Sequence, residues 1–267
     1  MGIVNVTPDS FSDGGEFFDP SRAIDHGLRL IEEGADLLDI GGESTRPYST
    51  PVSVEEEMRR VVPVIEGLSQ RTAAILSIDT SKAAVAQAAL DAGAEIINDI
   101  TGLLGDSAMV SLAASSKAGV CAMHMQGTPQ TMQDNPHYVD VVRDIFAWLA
   151  ARRDVLLAAG VESSRLCLDP GVGFGKTHQH NLDLVAGCGE FHALGAPLLV
   201  GASRKGFIGK VLRDKETPRA FGSVGVALTL ARHGVQVLRV HDVAATRQAL
   251  LLFEATGGID GQTTKLP

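Results

Sequence analysis

Positive charge is in short supply in this chain: 23 Lys and Arg stand against 32 Asp and Glu, a formal net charge of -9 over 267 residues. Phosphate backbones are bound by clustered cations, so this balance excludes a general nucleic-acid surface and requires any anionic ligand to be held by a few local basic groups. Long hydrophobic runs are missing too. No apolar stretch reaches the roughly 18 residues of a membrane span, and the first residues lack the basic and long apolar regions of a secretory signal. The cytoplasm is the expected compartment. Cysteine is scarce: Cys121, Cys167 and Cys188 are odd in number, widely spaced and without a CxxC pair, which fits reduced thiols packed as small hydrophobes. Linkers and short repeats are also absent, so one domain is expected. The single charge run, Glu55, Glu56 and Glu57, reads as a solvated first helical turn. Hydrolase machinery is missing as well, with no GxSxG elbow and no HExxH. Gly171, Gly173 and Gly175 follow an apolar run but lack dinucleotide-binding spacing, and His178 and His180 read as solvated.

What is present is a regular alternation. Apolar runs too short for helices occur at 2–6, 35–40, 73–78, 95–97, 119–123, 165–168, 197–200 and 236–240. Unbroken apolar character suits strands buried on both faces, and helical segments between them imply parallel crossovers. Asp19 followed by Pro20 caps a helix whose Ala23, Ile24, Leu28 and Ile31 share a face, ending near Gly34; Thr80 caps another, ending near Gly93. The longest helix is expected from Asn135 and Pro136 to Gly160. Eight strands alternating with about eight helices point first to a single-domain (β/α)8 TIM barrel and second to a doubly wound open sheet.

Each apolar run ends on a polar residue, in the order Asn5, Asp39, Asp79, Asn98, His124, Asp169, Ser203 and the pair Arg239 and His241. In a parallel barrel all strand C-termini face one mouth, so these positions converge. For Asp39, Asp99, His124 and Asp242 a helix-capping role is the competing reading, whereas capping alone has no need of arginine, lysine and histidine. Gly201-Ala202-Ser203-Arg204-Lys205-Gly206 together with Arg239 and His241 reads as an anion site for a phosphate or diphosphate. Asn5 offers a hard amide oxygen for Mg2+ if a diphosphate supplies most other ligands. Asp169, at a buried strand end, needs strong donors such as a ring N–H and an adjacent amino group. Asn98 can read a neighbouring donor and acceptor pair, Lys205 a ring carbonyl, and Asp79 can face positive charge developing at a reacting carbon.

Eight ordered stretches carry a family resemblance: NVTPDSFSDGG from Asn5, GGESTRP from Gly41, SIDTSK from Ser77, INDI from Ile97, MHMQGTP from Met123, LDPGVGFGK from Leu168, GASRKGFIG from Gly201 and RVHDV from Arg239. Together they resemble the dihydropteroate synthases, pterin-binding barrel enzymes of folate biosynthesis. The resemblance implies condensation of 6-hydroxymethyl-7,8-dihydropterin diphosphate with p-aminobenzoate, giving 7,8-dihydropteroate and pyrophosphate. It assigns Asp79, Asn98, Asp169 and Lys205 to the pterin, with Ile100, Met123, Phe174 and Gly201 beside it. Asn5, Thr45, Arg239 and His241 are assigned to the diphosphate, with Asn5 also toward Mg2+, and Ser10, Phe11, Arg46, Pro47 and Ser203 to p-aminobenzoate. Asp79, Lys205, Arg239 and His241 are the expected catalytic residues. A homodimer through the late helices and sulfonamide sensitivity are further implications.

Three features depart from the family pattern. Residues 1–267 are expected to form the barrel without the hairpin that usually precedes strand one, Tyr48 stands where Gly is common, and Val172 where Phe is common. The alternatives weighed are a methyltetrahydrofolate-dependent methyltransferase, which needs no diphosphate clamp, a Schiff-base lyase using Lys205, and a non-catalytic pterin-binding barrel.

Overall fold

A computed structural model describes residues 1–7, 19–214, 216 and 218–264. All eight expected strands are there: β1 Gly2–Asn5, β2 Leu37–Gly41, β3 Ile75–Asp79, β4 Ile96–Asp99, β5 Gly119–Met123, β6 Leu166–Asp169, β7 Leu199–Val200 and β8 Val237–Leu238. The first six pair in parallel in chain order, and β7 pairs with β8. Single parallel bridges, Leu168 with Leu198 and Gly2 with Val240, join the pair to both edges of the sheet. Leu168 N donates to Pro197 O at 2.9 Å and Ile3 N to Val240 O at 3.1 Å. The cylinder is therefore closed, and the open-sheet alternative falls.

Helices α1 Pro20–Glu32, α2 Val54–Ser69, α3 Ala83–Asp91, α4 Met109–Ser115, α5 Val141–Ala158, α6 His178–Ala186, α7 Gly206–Leu212, α8 Ala220–Arg232 and α9 Val243–Ala255 connect the strands. Strand residues alternate between two cores. Leu38, Ile40, Leu76, Ile78, Ile97, Val120, Leu166 and Leu168 face outward and pack with the helices in the main core. Met1, Cys121 and Leu199, with Leu37, Cys167 and Val237, form a smaller cluster on the barrel floor. The three cysteines are free, as expected. One step up the same inward faces stand the charged residues of the pocket.

Three local expectations need correction. Glu57 lies in the first turn of α2 yet is 1% exposed, because Lys82 reaches it in an ion pair. Helix α3 starts after Lys82 rather than at Thr80, since Thr80 Oγ1 accepts from Lys82 N at 3.2 Å and closes a turn ahead of the helix. Helix α5 begins at Val141, not near Pro136: the Gln126 amide clasps the His137 backbone at 2.9 and 3.0 Å, and Asp140 caps the N–H groups of Val142 and Arg143. In α1, capped by Asp19 as expected, Ala23 and Ile24 are buried together with Leu30, and Leu28 and Ile31 of the same face pack against that core half-buried.

Candidate active site

The strand C-termini meet at one mouth, where a single guanidinium organises the lumen. Arg239, just beyond β8, donates from Nε to Asp39 Oδ2 at 2.5 Å and from Nη2 to Asp79 Oδ2 at 2.7 Å. Asn98 Nδ2 donates to the same Asp39 oxygen at 3.0 Å. Residues of β2, β3, β4 and the end of β8 are thereby tied across the lumen. One cation between two carboxylates leaves a negative charge uncompensated, and burial, followed by the repulsion of Asp39, pushes Asp79 up to about 7 against the pull of Arg239. Burial would weaken Arg239, but Asp39 and Asp79 hold it firmly protonated.

Asp169 and Lys205 form a second cluster. Asp169 is 4% exposed; burial raises it to about 6, opposed by the Gly171 N–H at 2.7 Å and the charge of Lys205. Lys205 Nζ lies 4.3 Å over the Phe174 ring and donates to Val172 O, and burial pulls it down to about 7. The glycine-rich turn that carries Val172 and Phe174 needs its glycines. At Gly171 (φ +70°) a Cβ would lie 1.9 Å from His124 O, and at Gly173 (φ +88°) 2.6 Å from Lys205 Cδ. Met123 pairs in register with Asp169, and Met123 and Ile100 are buried apolar residues at the ends of β5 and β4.

The expected anion cluster is only partly available. Ser203 Oγ is bonded to His241 Nδ1 at 3.0 Å and accepts from His241 N at 3.2 Å. Arg204 is not free for an oxyanion: it forms a two-pronged ion pair with Asp242 and sits at a left-handed φ of +59°. Burial, then the charges of Arg204 and Arg239, hold His241 down to about 4, so its imidazole is neutral at pH 7. Gly201 follows β7, and a Cβ there would be in ordinary contact with Arg239 at 3.6 Å.

Asn5 ends β1 half-buried, Thr45 is half-buried in the loop after β2, and Arg46 and Pro47 are exposed in that loop. Ser10 and Phe11 lie outside the described residues. Among those described, no cluster of three or more His, Cys, Asp or Glu forms a metal site. A lone amide oxygen at Asn5 suits Mg2+ only when the substrate's own oxygens supply most of the coordination.

Asp39, expected either as a converging strand end or as a helix cap, is fully buried and holds both Asn98 and Arg239, as the converging reading requires; Lys176, by contrast, has no reading in the sequence. Lys176 is 2% exposed, with Nζ 3.0 Å from His124 Nδ1 and donating to Phe174 O at 2.8 Å. A lysine after a glycine-rich run looks solvated, and nothing in the pattern marks it otherwise. Of the other proposed caps, Asp99 caps its own turn through the Thr101 N–H at 2.7 Å, while Asp242 holds Arg204 instead.

This arrangement has close counterparts. A family model described as "Pterin binding enzyme" matches residues 1–241. The dihydropteroate synthases of Haemophilus influenzae and Escherichia coli are each 46% identical over 256 residues, 96% of this chain and 93% and 90% of theirs. The Xanthomonas albilineans dihydropteroate synthase solved with 4-aminobenzoic acid is 50% identical, with a TM-score of 0.90 over 96% of this chain and 92% of that one. The same enzyme solved with 7,8-dihydropteroate gives 47% and 0.87 over the same shares. A Yersinia pestis dihydropteroate synthase in a sulfonamide drug complex gives 47% and 0.90, over 97% and 94% of the two chains. With its barrel, its buried charge network and these matches over nearly its whole length, the chain belongs to the dihydropteroate synthase family of pterin-binding enzymes.

Proposed function

We propose that the chain joins 6-hydroxymethyl-7,8-dihydropterin diphosphate to p-aminobenzoate, releasing pyrophosphate and 7,8-dihydropteroate. The observation that carries this reading is the convergence of Asp79, Asn98, Asp169, Lys205 and Arg239 from five strand ends on one buried polar mouth. Asp169 accepts the ring N–H and amino group of the pterin, Asn98 reads its neighbouring edge, and Lys205 meets the ring carbonyl. Ile100, Met123 and Phe174 pack beside the ring near Gly201. Two acceptors on the lumen wall, Asp39 Oδ1 and Ser77 Oγ, are buried without a partner among the described residues, which favours a polar occupant over an apolar one.

Departure of pyrophosphate leaves positive charge on the pterin methylene. Asp79 faces that charge, and Arg239, His241, Thr45 and Asn5 face the leaving diphosphate. The negative charge of an arriving diphosphate raises the proton affinity of His241, which burial and the neighbouring cations lower in its absence. Asn5 would offer Mg2+ an amide oxygen, with the diphosphate supplying most other ligands, and the ion would neutralise charge on the leaving group. The aniline nitrogen of p-aminobenzoate then attacks an activated carbon without a strong base. Arg46, Pro47 and Ser203, with Ser10 and Phe11, hold the second substrate, its carboxylate toward Ser203 and the start of α7.

Exposed Val211, Phe221, Leu251 and Leu252 on α7, α8 and α9 support a homodimer through the late helices. Free cysteines support a cytoplasmic location, and no helix among the described residues is long and apolar enough to cross a membrane. The test is pyrophosphate release from the pterin diphosphate with Mg2+, with and without p-aminobenzoate, while dihydropteroate is followed by chromatography. Dihydropteroate formed only with p-aminobenzoate supports the reading. Pterin binding without turnover would make the chain a pterin-binding barrel alone.

A further inference from the structure

The loop 42–53 after β2 has to bring exposed Arg46 and Pro47 over a substrate arriving from solvent. Its footing is buried and charged. Lys82, at the start of α3, donates to Glu43 Oε2 at 2.5 Å and also to Glu57, the nearly inaccessible carboxylate of α2. The other oxygen of Glu43 accepts from Val52 N at 3.0 Å, so one carboxylate closes both ends of the loop. The entering stem is seated as tightly: Arg60 Nη1 donates to Gly42 O at 2.8 Å, and a Cβ on Gly42 would meet Val61 Cγ1 at 2.8 Å and Glu57 Cγ at 3.0 Å. Lys82 is three residues beyond Asp79, with its N–H on Thr80 Oγ1 at 3.2 Å. The same lysine thus ties the loop to the pocket rim on β3.

Burying Glu57 is costly, and well-packed hydrophobes replace such ion pairs with little loss of stability. Direction is what hydrophobes do not supply: an ammonium between two carboxylates fixes the Glu43 rotamer that catches Val52. We propose that Lys82 is a positioning residue for the second substrate, setting the stems of loop 42–53 and hence the placement of Arg46 and Pro47 without touching either substrate. The proposal rests on the p-aminobenzoate reading of that loop. It separates the two substrates by their hydrogen bonds: the network that faces the pterin, from Asp39 to Arg239, makes none to Lys82, and only the charge of Glu57 reaches across to Asp79.

The test compares wild type with Lys82→Met, Lys82→Arg and Glu43→Gln. KM for p-aminobenzoate, the Kd of the pterin diphosphate by calorimetry, and hydrogen exchange at the Val52 amide are measured for each. Lys82→Met is expected to raise KM for p-aminobenzoate about tenfold, leave the pterin Kd within about twofold, and expose the Val52 amide to exchange; Lys82→Arg restores most of the KM. Glu43→Gln keeps the acceptor for Val52 but loses the charge, and gives a smaller KM rise of about threefold. Equal loss of both affinities, an unchanged KM, or a protected Val52 amide in Lys82→Met overturns the proposal. If Lys82→Met does not fold, the same split in Glu43→Gln decides. Failure of wild type to make dihydropteroate refutes the activity itself, while Val52 exchange still decides whether Lys82 holds the loop.

Discussion

The two ends of this mouth are built on opposite plans. In the lumen, Asp39, Asn98 and Asp169 are each less than 5% exposed and each makes at least one hydrogen bond within the protein. In loop 42–53, Arg46 and Pro47 are exposed, and outside its stems the loop is fastened, among the described residues, by hydrogen bonds of Tyr48 and Ser49 with Pro129, Gln130 and Asp134. On the proposed reading, this prearranged, desolvated wall faces the rigid heteroaromatic ring. On the same reading, the second substrate meets groups whose order must be imposed from the loop's stems. The lumen end carries its cost in folding, and the loop end carries its cost at each turnover.

The sharpest way to break this contrast is Arg239→Met. Removing the shared cation leaves Asp39 and Asp79 as uncompensated buried carboxylates, which costs roughly 3–5 kcal/mol. For a domain of this size that corresponds to a fall in Tm of about 10 °C, and turnover is expected to drop by at least about a hundredfold. Calorimetric melting together with the dihydropteroate assay checks both. An unchanged Tm would show that the lumen network is not structural.

A pH profile sharpens the contrast next. Asp169, raised to about 6, must be ionised to accept the pterin's donors, so pterin affinity is lost as pH falls through that value. Lys205, lowered to about 7, must be protonated, so affinity is also lost as pH rises through that value. Pterin binding is therefore expected to peak between the two. Asp169→Asn flattens the acid limb and costs about 2 kcal/mol of pterin affinity, and Lys205→Met flattens the alkaline limb. Calorimetric titration across neutrality that finds no maximum rejects the assignment of these two groups.

At the loop end the expected effects are smaller. Arg46→Ala raises KM for p-aminobenzoate about tenfold and leaves pterin Kd unchanged, because Arg46 makes no side-chain hydrogen bond to the lumen network. Steady-state kinetics alongside pterin calorimetry reads the split; equal losses would put Arg46 at the diphosphate.

The same division decides what the sequence reveals. Eight apolar runs, each ending on a polar residue, made the barrel and its mouth legible, because a strand buried on both faces has no room for polar interruptions and the chemistry collects where burial ends. Asp39 is legible as a polar strand end but not as an anchor of the lumen, because a buried carboxylate there needs Arg239, about two hundred residues away, which no local pattern displays. Glu57 was misread as solvated for the same reason, its partner Lys82 lying on another helix. The early start assigned to α5 followed Pro136, whereas a side chain of the preceding strand's loop, Gln126, holds that segment out of the helix. Long-range pairs of charge hide from periodicity; periodicity itself does not.

The smallest effect belongs to Tyr48, and its sign is the informative part. Its backbone sits at φ +64°, a left-handed conformation in which glycine is unstrained. Its hydroxyl donates to Asp134 Oδ1 at 3.0 Å and its N–H to Pro129 O at 3.2 Å, which tie loop 42–53 to the loop after β5. Tyr48→Phe removes the hydroxyl bond and keeps the strain, whereas Tyr48→Gly removes both. The glycine variant is therefore expected to melt higher than the phenylalanine variant by about 2 °C, although it loses more contact. Both variants should raise KM for p-aminobenzoate slightly and leave pterin Kd unchanged. If Tyr48→Gly melts below Tyr48→Phe, the ring itself holds the loop, and this end of the mouth is more firmly built than its hydrogen bonds indicate.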